Sequence, residues 1–366
     1  MSLVAIPIIS IIAVIITILP CSWHYRVGNT NILILTVWII GVNFIYFINS
    51  IIWHDNVDIH TPVWCDITTK LVIGANIAIP ATAACLLRNL SGIATASVVS
   101  TSRKDMRKKL YLDLTYGVVV PIIYMALHVV IQDRRFNIIE GIGCMPVIWP
   151  SWLSLVHTSL LPFICAIVAA YYSFKTFRAF YKYRETFMDL FKMKKYGLTK
   201  SKFIRLIGLA MTIFILTIVA AVVQLVVNLQ ANSGRLLPYK SWDQVHVYFS
   251  KIYQVKLSEL NEHQLGANIA SWLLPIITAI IFFFFFGFAE ESRKEYVRCL
   301  LFCFPFLRAR LQRSTIPNNG HVSTISSSPS QDYDDFDKLK DCSRGQSEEY
   351  ELPVLRASYL ESRKPT

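Results

Sequence analysis

The sequence predicts an all-α integral membrane protein: a bundle of seven transmembrane helices, N-terminus outside, C-terminus cytoplasmic, followed by a disordered tail. Three observations predict it. Of 366 residues, 54% are apolar and only 16% charged, where a soluble domain carries about a quarter charged. The charges cluster, and the apolar runs between them are long enough to cross a hydrocarbon core about 30 Å thick. Lys and Arg collect on one side of those runs.

The runs are Leu3–Pro20, Ile32–Ile52, Ile67–Leu87, Leu112–Ile131, Leu153–Phe174, Leu206–Leu229 and Asn268–Phe288. Each is expected to be helical, because an open strand leaves its backbone polar groups unpaired in lipid. The first run lacks the basic start and small-residue cleavage site of a signal peptide and exceeds its usual apolar length, so it reads as a retained span. Pro121 interrupts the fourth, a fault that neighbouring helices can satisfy.

Basic residues set the orientation. Arg26, the Arg103–Lys109 cluster and the long fifth-to-sixth connection place sixteen Lys and Arg on one face, against six on the other. The basic face is therefore cytoplasmic. The formal net charge of +12 reads as attraction to an anionic leaflet, and no nucleic-acid partner is expected. Residues 1–291 form the membrane domain. Residues 292–313 mix Arg and Lys with Leu, Phe and Cys, as in an amphipathic segment on the inner leaflet. Residues 314–366 are too polar to bury a core and are expected to be disordered.

Cys65 opens the third span and Cys144 lies in the next outer loop. They read as a disulfide stapling that loop to the bundle, with two free thiols as the alternative; no other predicted outer position carries a competing cysteine. Cys299 and Cys303, just inside the membrane, read either as palmitoylation sites or as free thiols. No cysteine–histidine cluster has metal spacing, and no cofactor is expected. Polar residues inside spans are costly and usually face the bundle interior. Lys70 with Asn76, His157 and Asn268 is placed to line a cavity open to the outside. The alternative is interhelical hydrogen bonding, worth about 0.5–2 kcal/mol each. Arg88, where the third span meets the cytoplasm, either reaches lipid phosphates or meets a protein docking from inside.

A retinal protein needs a Lys in the last span, and Asn268–Phe288 has none. An enzyme needs a catalytic constellation, and none is visible. A transporter or channel remains the alternative, although Pro80, Pro121 and Pro275 show no paired halves. A stapled outer face, a basic inner face and a Ser-rich tail match a receptor that passes a helix rearrangement to a cytosolic partner.

Particular residues then point further. Ile52-Trp53, Trp64-Cys65-Asp66-Ile67, Thr69-Lys70, Ile73-Gly74-Ala75-Asn76 and Pro80-Ala81 resemble the signature of fungal mating-pheromone receptors of the a-factor-receptor type. Phe203-Ile204-Arg205-Leu206 and Phe285-Phe286-Gly287-Phe288 with Glu291 are similar to it too, so the resemblance spans roughly residues 20–296. It implies a class D G-protein-coupled receptor at a fungal plasma membrane. Its ligand would be a farnesylated peptide pheromone, its partners a heterotrimeric G protein and membrane lipid, with a homodimer left open. Span six lacks the mid-helix proline common in these receptors.

On that implication, Asp55, Asp58, Trp64, Lys70, Asn76, Trp152, His157 and Trp272 are the ligand-binding candidates at the outer mouth. Arg88, Arg103, Lys104, Arg107, Lys108, Lys192, Lys194 and Lys195 are the candidates for meeting the acidic Gα surface, with setting topology and binding anionic lipid as the alternative for each of them.

Overall fold

In the computed structural model, residues 5–94, 103–182, 200–230, 236–289, 292–293 and 296 are described. Their helices include seven long and apolar enough to cross a membrane: Ala5–Arg26, Thr30–Ile52, Pro62–Gly92, Lys104–Ile131, Trp152–Ala179, Ile204–Val223 and Gln264–Phe286, here spans one to seven. Several helices outrun the apolar stretches, because the backbone stays hydrogen-bonded where polar side chains already reach the headgroups. The third, for instance, continues to Ala94.

Span three is the axis of the bundle. Its apolar window is 78% buried, and it packs against spans two, four, five and six. The sequence explains how one helix meets four neighbours: Ala75, Ala78, Ala81, Ala83 and Ala84 are all buried, and such small side chains let helix backbones approach closely. Span seven closes the ring against spans one, two and six. Its phenylalanine run divides by face, with Phe282 and Phe286 in the core and Phe284 68% exposed toward the lipid side. Asn43 of span two donates to the Pro275 carbonyl of span seven at 3.2 Å.

Spans four and five each contain a π-helical turn, Thr115–Val119 and Val156–Leu160, and each turn lies just before a proline, Pro121 and Pro162. Proline cannot donate to the carbonyl one turn back, and its ring crowds that carbonyl. A wide turn with one extra residue relieves the crowding. In span four the abandoned carbonyl is that of Gly117, and the Trp38 indole of span two supplies the missing donor at 2.8 Å. Glycine is required there, since a Cβ would lie 2.5 Å from Ile34 Cγ2. Trp38→Phe removes the donor and leaves a carbonyl unpaired in the membrane. A loss of about 1–3 kcal/mol is expected, read as a lower melting temperature in lipid nanodiscs; an unchanged melt removes this account.

The bundle is all-α within the membrane, but the loops depart from that class. A three-stranded sheet caps one end, in the order β2-β1-β3. β1 (Arg134–Ile139) and β2 (Gly143–Met145) form an antiparallel hairpin after span four, with Ile138 opposite Cys144. β3 (Tyr248–Val255), from the loop before span seven, pairs parallel to β1. Gly143 has φ +88°, and a Cβ on it would sit 2.5 Å from Asn49 Cβ and 2.8 Å from the Trp53 ring. Only glycine lets β2 lie this close to the end of span two.

Candidate functional site

At the sheet end, Cys65 and Cys144 are joined in a disulfide with their Cα atoms 5.3 Å apart, so the expected staple is present. It fixes β2 to the head of span three, and both sulfurs are buried with Trp53, Phe136 and Ile138. Around it the loops are laced by polar contacts. The Gly141 N–H donates to the Trp53 carbonyl at 2.6 Å. The Trp53 indole donates to the Asp58 carbonyl at 2.9 Å, and the Gln254 amide of β3 to the Val57 carbonyl at 2.8 Å. Arg135 of β1 grips the Asp66 carboxylate at two points, 2.9 and 2.5 Å. This two-point bond pushes the Arg135 guanidinium further toward its charged form.

The predicted mouth residues fall into different places. Asp55 and Asp58 are exposed on the loop, with Asp55 beside the His54 imidazole at 2.6 Å. Trp152, at the start of span five, is 57% exposed. Trp64 is half-buried and donates to Asn49 Oδ1 at 2.8 Å. These four share the sheet end of the molecule. Trp272 is fully buried, its indole donating to Ser10 of span one at 3.0 Å. Asn268 bonds back to Gln264 of its own helix, and Asn76 is exposed on span three. Lys70, Asn76, His157 and Asn268 therefore do not form one cluster.

Lys70 instead finds partners on span four. Its ammonium donates to His128 Nδ1 at 2.9 Å and to Gln132 Oε1 at 2.6 Å. An ammonium has no lone pair, so His128 Nδ1 must accept and its proton resides on Nε2. That Nε2–H is buried and has no hydrogen-bond partner among the described residues. Gln132 passes the link to the sheet, donating to the Arg134 and Arg135 carbonyls at 3.1 and 2.9 Å. His157 continues the track onto span five, its ring 6.0 Å from that of His128 and stacked on Tyr124 at 3.8 Å. The Tyr124 hydroxyl donates to the His157 carbonyl at 2.8 Å, an acceptor set free because Leu161 N–H bonds Val156 in the π-turn. Two π-turned helices thus exchange polar contacts where regular helices would have none to spare. His128 and Gln132 were not among the expected site residues. Their signal was the stripe Gly117, Pro121, Tyr124, His128, Ile131, buried at helical spacing.

At the opposite, basic end, Asp113 is 1% exposed. One of its oxygens accepts from Asn89 Nδ2 at 2.9 Å, Cys85 Sγ at 3.3 Å and Asn31 Nδ2 at 3.4 Å, tying spans two, three and four. Arg88 is half-buried beside Asn89. Lys104, Arg107 and Lys108 are exposed on the helix that becomes span four. Lys192, Lys194, Lys195, Cys299, Cys303 and the Arg103 side chain lie outside the described residues, as do residues 314–366.

The chain matches the pheromone A receptor family, STE3, over residues 5–306. Among curated proteins it is similar to the pheromone B beta 1 receptor of Schizophyllum commune, with 33% identity over 77% of this chain and 52% of that protein. Similarity to pheromone receptor 1 of Mycosarcoma maydis is 30% over 81% of the chain and 84% of the relative. For the pheromone a factor receptor of Saccharomyces cerevisiae it is 26% over 79% and 60%. The chain spans about half the length of the Schizophyllum receptors it matches. With the match running through all seven spans and the stapled loops between them, this multi-pass membrane protein belongs to the STE3 pheromone A receptor family.

Proposed function

We propose that the chain is a plasma-membrane G-protein-coupled receptor that binds a secreted farnesylated mating-pheromone peptide and activates a heterotrimeric G protein. The observation that carries this reading is the family match across the whole seven-span body. The ligand's chemistry suits the architecture. A farnesyl chain of about 15 carbons gains roughly 0.8 kcal/mol for each buried CH₂-sized group, so it enters between helices from the outer leaflet. The peptide part meets the sheet end at Asp55, Asp58, Trp64 and Trp152. Lys70 and His157 lie deeper, on the polar track, where His128 offers its spare N–H to a ligand carbonyl. Coupling is assigned to the cytoplasmic face at Arg88 and the Lys192, Lys194 and Lys195 cluster.

The test is expression in a reporter strain lacking its own receptor, challenged with synthetic farnesylated and non-prenylated peptides. A saturable response that requires the farnesyl group is expected. Asp55→Ala, Trp64→Ala, Lys70→Ala, Trp152→Ala and His128→Ala are each expected to raise EC50 at unchanged surface expression. An identical dose–response in all five discards the mouth, and no response to any prenylated peptide discards the ligand class.

A further inference from the structure

The basic end of span four carries Lys104, Arg107 and Lys108, and the helix geometry says which way that charge points. A helix turns about 100° per residue. Counted from buried Asp113, Lys104 lies about 180° away, Tyr111 and Thr115 about 160°, Lys108 about 140° and Arg107 about 120°. All five are exposed, Tyr111 by 67%. With Leu112 they line a groove of about 430 Å³. Because Asp113 fixes the inward direction, this groove opens on the flank of the bundle. Its cations therefore lie at headgroup depth, and Tyr111, Leu112 and Thr115 continue toward the hydrocarbon.

We propose that this groove is a binding site for an anionic phospholipid, its phosphate held by Lys104, Arg107 and Lys108 and an acyl chain lying along Tyr111, Leu112 and Thr115. Three cations on adjacent turns complement a multiply charged headgroup such as a phosphoinositide. A guanidinium adds two-point recognition of phosphate oxygens. The order along the helix, charge first and then an aromatic ring and apolar surface, is that of a lipid crossing from headgroup to chain. An acidic protein surface docking on the cytoplasmic face would be met by side chains turned toward the bundle axis, and these are turned from it.

The experiment uses the full chain in phosphatidylcholine nanodiscs doped with phosphatidylinositol bisphosphate or phosphatidylserine, with bound lipid counted by native mass spectrometry. Soluble inositol trisphosphate serves as the headgroup without its chains. The parent is expected to retain one phosphoinositide in preference to phosphatidylserine and to bind the soluble headgroup more weakly. K104Q/R107Q/K108Q is expected to lower phosphoinositide retention at least 10-fold, while K104R/K108R keeps it, which separates lost charge from misfolding. Tyr111→Ala is expected to weaken lipid retention and leave the soluble headgroup unchanged. Equal retention by parent and triple variant overturns the site. Full lipid retention in the triple variant with lost nucleotide exchange in pure phosphatidylcholine overturns it in favour of an acidic protein partner.

Discussion

Cys144→Ser is expected to abolish most of the ligand response and to lower the melting temperature of the protein. The bridge joins positions 79 residues apart, and removing a native disulfide typically costs about 2–5 kcal/mol. The lower part of that range applies here, since both ends stay tethered to helices held in the bilayer even when packing is lost. The functional loss is larger than the thermal one. β2 bears on the end of span two through Gly143, so releasing Cys144 removes the covalent tie between the cap and the head of span three and leaves the partly exposed Arg135–Asp66 pair to hold β1 there. Melting of the parent in reductant should match that of Cys144→Ser, and Cys65→Ser/Cys144→Ser should cost little beyond either single change. Additive losses would mean that each sulfur matters separately and not as a bond.

The second large effect is expected at Asp113. One carboxylate oxygen serves three donors from two other spans. Asp113→Ala leaves the Asn31 and Asn89 amides without that acceptor in a site closed to water, and each stranded donor costs about 1–3 kcal/mol. A total loss of about 2–4 kcal/mol is expected. Asp113→Asn keeps one oxygen in the same place and should stay within about 1 kcal/mol of the parent. Thermal denaturation of the three proteins in one lipid decides it. If Asn melts as low as Ala, the negative charge rather than the shared acceptor is what stabilises this end.

The membrane body was legible because lipid leaves one solution for each apolar run, a hydrogen-bonded helix. The disulfide was legible because Cys65 and Cys144 had no competitors on their side. The sheet was not. In Tyr248–Val255 aromatic and polar residues are interleaved without a buried face, and the strand exists because β1, more than 100 positions earlier in the chain, offers it a parallel edge. Lys70 was grouped with Asn76, His157 and Asn268 around a cavity, and the residues that bond its amine were not named. His128 and Gln132 lie 58 and 62 residues away, a pairing set by helix packing rather than by local spacing. Asp113 was hidden by its company. In Arg-Lys-Asp-Met-Arg-Lys-Lys-Leu-Tyr-Leu-Asp-Leu an acid reads as one more surface charge, and only its fourfold spacing to Gly117 and Pro121 sets it on the inner stripe.

The surplus residue that each of spans four and five carries beside its proline is a movable defect. Should it slip one position along the helix, a single i-to-i+5 bond is exchanged for another, and only the residue it passes is re-aimed, by about 100°, while the helix beyond keeps its place. Tyr124 and His157 clasp the two helices by reciprocal bonds, so a bulge that reached either residue and re-aimed it would break the clasp unless the other followed. Spans four and five are thereby geared at this one level, through the pair of rings and not through their axes.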